Sequence, residues 1–432
     1  MKTKLPALAA ILFITLSAFL INSCQDKTYE EVTYKANVPV VMGFDEFRSA
    51  VKKTAPHELT TPGKIYFKDN YIFVNEFQQG IHVIDNSNPA EPVILNFIEI
   101  PGNIDMAVKG NILYADSYID LVAIDISDPH NPVEVDRFEN AFPNVLPPME
   151  DYSYPVYGLD FSKGVVVGWE TREVTEVIEK ENSSGFGGRV MYDDATGVPS
   201  IGNAEVGFNP SSVGIGGSMA GFTLVGDYLY ALHNNEIKQF NLTTVPGIAA
   251  GTSIQTGVQA ETLFPYGNKL FMGSTTGMVV YDVSNPSTIS FVSQFTHINS
   301  CDPVVIEGNY AYVTLRSGTQ CNSFSNQLDV VDISNIQTPF LVKSYPLFNP
   351  HGLGIDNHTL FICDGEAGLK VYDATNPMEI NMHLLAHFAD IKTYDVIPYD
   401  GLLMMIGDDG LYQYDYTNLD SLKLLSHLPI GN

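Results

Sequence analysis

Only four of the 432 residues are cysteine and one is tryptophan. No two cysteines have CxxC spacing, so neither a thioredoxin-like redox motif nor a cysteine zinc cluster is present. Basic residues are scarce, 22 against 50 acidic ones, for a net charge of −28. That excludes nucleic acid as a partner and argues against side-chain docking on an anionic membrane, because both need a basic surface. HExxH, GxSxG and GxxxxGK[ST] are all missing, which removes the common zinc peptidases, serine hydrolases and P-loop enzymes. Gly214-Ile215-Gly216-Gly217 has no dinucleotide spacing either and reads as a flexible loop. Charged residues make up only 17% of the chain, yet 45% is hydrophobic, so it folds. What is plentiful is Gly (35), Pro (25), Tyr (23) and Phe (24), the composition of a β-rich protein with many turns.

The single long apolar run is Leu5 to Ile21, preceded by Lys2 and Lys4 and ending in Ile21-Asn22-Ser23-Cys24. It is short for a membrane span and fits an export signal. Cysteine after a small residue at that point looks like a bacterial lipobox, which implies cleavage before Cys24 and acylation of its thiol, palmitate being one such group. The expected organisation is a signal peptide at 1–23, a tether with a short strand and helix at 24–62, and one folded domain at 63–430. Within the tether, 36–42 reads as a strand and 44–51 as a short helix with Asp45 as a candidate cap.

The rest of the chain repeats. A hydrophobic alternation ends in Asp and is followed by an Asn/Asp-Pro turn: Gly80 to Asp85 with Asn88-Pro89, Leu121 to Asp125 with Asp128-Pro129, Met278 to Asp282 with Asn285-Pro286. Leu328 to Asp332 and Leu369 to Asp373 are further copies, and degenerate ones end at Asp193, Asn241 and Asp415. Anchors at 85, 125, 193, 241, 282, 332, 373 and 415 are mostly spaced by 40–42 residues. Each unit divides into four short β-patterned segments separated by turn residues, as in 64–67, 71–74, 80–85 and 92–100. Four antiparallel strands every forty-odd residues describe a propeller blade. The expected fold is all-β: a β-propeller of eight blades, or seven if one degenerate unit is merged. The last unit carries its own outer strand, so the ring is expected to close without strand sharing. Each anchor Asp is expected to bond backbone amides of the turn that follows it.

Leu-Val-Ala-Ile-Asp at 121–125, Met-Val-Val-Tyr-Asp at 278–282 and Leu-Asp-Val-Val-Asp-Ile at 328–333 resemble the repeat of LVIVD-repeat proteins. The resemblance covers roughly 63–428 and implies an exported β-propeller lipoprotein, of a kind common in Bacteroidetes, at the outer membrane or cell surface. It implies no catalytic residues, and 141–220 departs from it most.

Sites on propellers gather on the rim formed by the loops that enter the innermost strands and those joining the second and third strands. Entry loops offer Asn103, Asp105, Glu261, Asp302 and His351. The other loops offer Glu76, Asp116, Asp120, Arg316, Asp364, Glu366, Asp408 and Asp409. The narrower candidate binding site is Asn103, Asp105, Asp116, Asp302, Arg316, His351, Asp364, Glu366 and Asp408. Such a carboxylate set suits calcium, which takes oxygen ligands. Cys301 and Cys321 fall in two loops of one unit on this rim and are expected to form a disulfide across the long loop 316–327, while Cys363 is expected to be a buried thiol. The expected function is a binding module that grasps protein or glycan. The alternative is a metal-dependent hydrolase or lyase using rim carboxylates and His351.

Overall fold

A computed structural model describes residues 28–180, 215–285, 287–296, 303–317 and 325–431. Among them are seven four-stranded antiparallel blades. Blade 1 is Pro62–Lys68, Tyr71–Glu76, Gly80–Asp85 and Val93–Glu99. Blade 2 is Met106–Lys109, Ile112–Ser117, Asp120–Asp125 and Val133–Phe138. Blade 3 is Phe222–Val225, Tyr228–His233, Glu236–Asn241 and Ala249–Gln255. Blade 4 is Ala260–Tyr266, Lys269–Ser274, Gly277–Asp282 and Ser290–Thr296. Blade 5 is Val304–Glu307, Tyr310–Leu315, Gln327–Asp332 and Phe340–Pro346. Blade 6 is Leu353–Asp356, Thr359–Cys363, Leu369–Asp373 and Leu384–Phe388. Blade 7 is Thr393–Tyr399, Leu402–Gly407, Gly410–Asp415 and Lys423–Pro429. The first strand of each blade touches the first strand of the next, and that of blade 7 touches that of blade 1, so the ring is closed.

The local chemistry of the repeat explains this regularity. In all seven blades the anchor side chain accepts the backbone N–H two residues on: Asp85 from Ser87, Asp125 from Ser127, Asn241 from Thr243, Asp282 from Ser284, Asp332 from Ser334, Asp373 from Thr375 and Asp415 from Thr417, all at 2.7–2.9 Å. These Asx turns end the third strand and start the connection to the fourth. Every pairing of third with fourth strand then carries a bulge, such as the one at Val280/Tyr281, which adds twist.

The same turn links blades. Its carbonyls accept from the outermost strand of the preceding blade: Asn96 Nδ2 to Pro129 O, Thr252 Oγ1 to Ser287 O, Ser293 Oγ to Ile336 O, Tyr345 OH to Pro377 O and Ser426 Oγ to Pro89 O, at 2.6–2.9 Å. Between blades lies the apolar core. One cluster joins blades 1–3 through residues such as Tyr114 and Phe240, and another joins blades 7 and 1 through Met404, Ile406 and Ile72. Burying sheet faces against neighbours is the main source of stability here.

The count is therefore seven, the lower of the two expected. The unit assigned to anchor Asp193 makes no blade. Its strand, Val165–Lys180, pairs with Thr28–Met42 in a separate two-stranded sheet. Only its first residues are buried, and from Glu170 it is mostly exposed, so it lacks the two buried faces of a blade strand. Asp193 itself lies outside the described residues. Residues 28–39, 149–159 and 169–180 form a compact unit of their own. There Asn37, almost fully buried, donates to Asp151 O and Tyr154 O, and its main chain bonds Pro155 and Tyr157.

The other unit contains the ring and two additions. A helix, Phe44–Arg48, is capped by Gly43 rather than by the Asp45 side chain. Phe47 is buried against Tyr118, and Arg48 pairs with the buried Asp120 at 3.1 Å. Lys52–Thr54 pairs with the outermost strand of blade 1.

No disulfide forms among the described residues, and the expected Cys301–Cys321 bridge is withdrawn. The feet of that loop are tied by hydrogen bonds instead. Ser317 N and Oγ donate to Asn326 Oδ1 at 2.7 and 3.0 Å, and Asn326 Nδ2 donates to Phe348 O at 2.6 Å. Cys363 is a buried thiol. Cys24, Cys301, Asp302 and Cys321 lie outside the described residues.

Candidate functional site

The loop read as flexible has a defined place. Ile215-Gly216 adds a short antiparallel strand to the innermost strand of blade 1, opposite Phe67 and Tyr66. Gly217 N then bonds Ile65 O. Ser218 N and Oγ donate to Asp395 Oδ1 of blade 7 at 2.9 and 3.0 Å, and Ser218 Oγ accepts Leu353 N of blade 6 at 2.5 Å. Gly221 N donates to Asp105 at blade 2. A segment bonded to residues of blades 1, 2, 6 and 7 before it enters blade 3 runs between the inner strands of the ring as a plug. Its glycines permit the approach: a Cβ on Gly217 would lie 1.8 Å from Asp395 Oδ2.

Under this plug sit Lys64, Asp105, Asp116 and Asp395. Lys64 Nζ lies 2.5 Å from Asp105 Oδ2, with both side chains buried. Burial raises the Asp105 carboxyl despite Lys64. Burial also pushes Asp116 and Asp395 up to about 7 each. Asp116 Oδ1 accepts Asn103 Nδ2, Ile104 N and Asp105 N at 2.8 Å. Asn103 Oδ1 in turn accepts Asn75 Nδ2 at 2.7 Å. Asn103 and Asp105 are buried and Asp116 is part-buried, and the three form one hydrogen-bonded network. Glu76 and Asp120 are likewise enclosed, the latter between Arg48, Arg137 and Asn140 N.

The other candidates lie at blades 5 to 7. Arg316 donates to His351 Nδ1 at 2.8 Å, and the Asn349 amide is 3.2 Å from Nε2. Burial, then the charges of Arg316 and Lys392, push His351 down to about 3, so it is neutral and a weak base at physiological pH. Its ring meets Tyr394 edge-on at 5.3 Å. Tyr394 OH donates to Asp408 at 2.5 Å, which holds that carboxyl below its usual range. Lys392 lies 5.5 Å over the Tyr394 ring and 3.4 Å from Asp408. Phe348, 59% exposed, lies three residues before His351, its main chain bonded to Asp364 and Asn326.

Asp364 does not reach His351. It is buried and accepts Phe348 N, Asn349 N and Lys370 Nζ. Glu366 is exposed on the same loop, and Asp409 accepts Tyr412 OH. Among the described residues, no three His, Cys, Asp or Glu side chains are placed to hold a metal ion. Sequence reasoning thus located Arg316, His351 and Asp408 but missed Phe348, Lys392 and Tyr394. The alternation at the start of blade 7 carries the last two, and no motif marks them. It also missed Lys64, Ser218 and Asp395.

The LVIVD repeat matches residues 63–97, 103–140, 259–297 and 300–346. No curated protein matches the chain. Among solved structures, a periplasmic gluconolactonase of Pseudomonas aeruginosa aligns with a TM-score of 0.51 at 10% identity, covering 86% of this chain and 96% of that one. BamB of Moraxella catarrhalis aligns at 0.45 and 7% identity, covering 89% and 97%. The computationally designed Ika8 protein aligns at 0.48 and 10%, covering 87% and 92%. At such identities the likeness concerns the fold alone. The chain is a seven-bladed β-propeller carrying LVIVD repeats in blades 1, 2, 4 and 5.

Proposed function

We propose that the protein is a binding module of the cell envelope, lipid-anchored through Cys24, which grasps a protein or glycan on the rim of blades 5 to 7. The observation that carries this reading is the cluster of half-exposed Tyr394 and Lys392 and exposed Asp408 beside Arg316 and His351, with exposed Phe348 three residues before His351 in the chain. An aromatic pair beside paired charges suits adhesion, since aromatics give large contact area at low entropic cost.

Two experiments test this. Labelled palmitate should enter the wild-type protein in its native host and not Cys24→Ala. The triple variant Phe348→Ala/Lys392→Ala/Tyr394→Ala should lose binding to whichever envelope glycan or protein in an array binds wild type. A control at the outer edge, Phe291→Ala, should keep it. Equal binding by the triple variant would remove the rim from consideration.

A further inference from the structure

We propose that Lys64 and Asp105 condense spontaneously into an isopeptide bond that staples blade 1 to blade 2 beside the axis. The pair is pre-assembled. Lys64 Nζ touches Asp105 Oδ2 at 2.5 Å, and the residues are 7% and 4% exposed. An ammonium carries three N–H donors, and Asp105 is its hydrogen-bond acceptor among the described residues. A buried ammonium so short of acceptors is costly, whereas an amide has one N–H to satisfy.

The step balances without a cofactor. Burial raises the Asp105 carboxyl, which takes one ammonium proton across the 2.5 Å contact. The free amine attacks Asp105 Cγ, a C–N bond forms, a C–O bond breaks, and the departing oxygen leaves as water. Ammonium and carboxylate become amide plus one water, with no change of oxidation state. Met106 N, 2.9 Å from Oδ1, holds the oxygen that stays as the carbonyl. The proton lost by the attacking nitrogen passes to the departing oxygen within the pair, across the 2.5 Å contact. Fixed proximity provides the driving force for rate, since intramolecular reactions reach effective molarities of about 10⁵ M or more.

Trypsin digestion of the full chain followed by mass spectrometry tests the bond. Peptide 54–68, uncut after Lys64, should appear joined to peptide 69–109, lighter than their sum by one water. Cleavage after Lys64 and recovery of 69–109 at its own mass would overturn the proposal. In Lys64→Arg the charge remains but the guanidinium does not condense, so the two peptides should separate.

Discussion

At the residue scale, burial of charge sets the pH response. Asp116, part-buried, is raised from 3.8 to about 7, chiefly by desolvation. A carboxyl raised on folding stabilises the native state below its unfolded value, and that contribution is lost as pH rises through the folded value. The stability advantage of wild type over Asp116→Asn should therefore fall between about pH 4 and 7 and stay flat above. Urea midpoints measured across that range check this, and a difference that grows with pH would contradict it. His351 behaves oppositely. Depressed to about 3, it gives stability that is complete above about 6.5 and lost as pH falls. Pro350-His351-Gly352 drew attention to His351 in the sequence, but its neutrality was not legible. That depends first on its burial and then on Arg316 and Lys392, which come from neighbouring blades.

At the element scale, the repeat phrase is legible because its physics is local. An alternating strand, an Asp two residues before a backbone amide and a proline turn need no distant partner to be recognised. Asp282→Ala removes the bond to Ser284 N and should cost about 1 kcal/mol by denaturant unfolding, close to a typical single hydrogen bond. Gly277 should be far less tolerant. Its φ is +144°, and a Cβ there would lie 2.1 Å from Phe295 O of the outer strand. Gly277→Ala should destabilise by more than about 2 kcal/mol, since backbone must move. The plug was not legible. Gly216-Gly217-Ser218 resembles any small-residue loop, and the bond from Ser218 to Asp395 spans 177 positions. The choice between eight blades and seven was not legible for a similar reason. The strand at 165–180 has its β pattern, but its partner is the strand at 28–42, and local sequence does not reveal pairing across such a separation. Ser218→Ala leaves the buried Leu353 N unsatisfied and should cost about 1–3 kcal/mol. Amide exchange at 216–218 should quicken in that variant.

At the scale of the whole molecule, every blade owns four strands, so closure depends on what joins blade 7 to blade 1. Gln413 Nε2 donates to Asn86 Oδ1, and an apolar cluster fills the seam. A strap over residues 52–61 then spans it. Lys52–Thr54 pairs with blade 1, His57 packs edge-on against His82 at 4.6 Å, and Leu59 bridges to Ile430 while accepting Gly431 N. Glu76 fastens the strap. Fully buried, it accepts Thr60 N and Oγ1, Thr61 N and Oγ1, and His82 Nε2, at 2.5–3.0 Å. Burial alone would raise this carboxyl, but those donors win and hold it at about 2. A depressed carboxyl gives stability that is present above its unfolded value and lost as pH falls through the folded one. The strap should therefore stay docked down to about pH 4 and release toward pH 2. Glu76→Ala leaves the buried His82 and the Thr60 and Thr61 donors without their acceptor and should cost roughly 2–4 kcal/mol at neutral pH. Hydrogen exchange should quicken first at 52–61 and at 423–431, with blades 3 to 5 protected as in wild type. Uniform acceleration around the ring would mean that Glu76 supports blade 1 alone and that the seam closes without the strap.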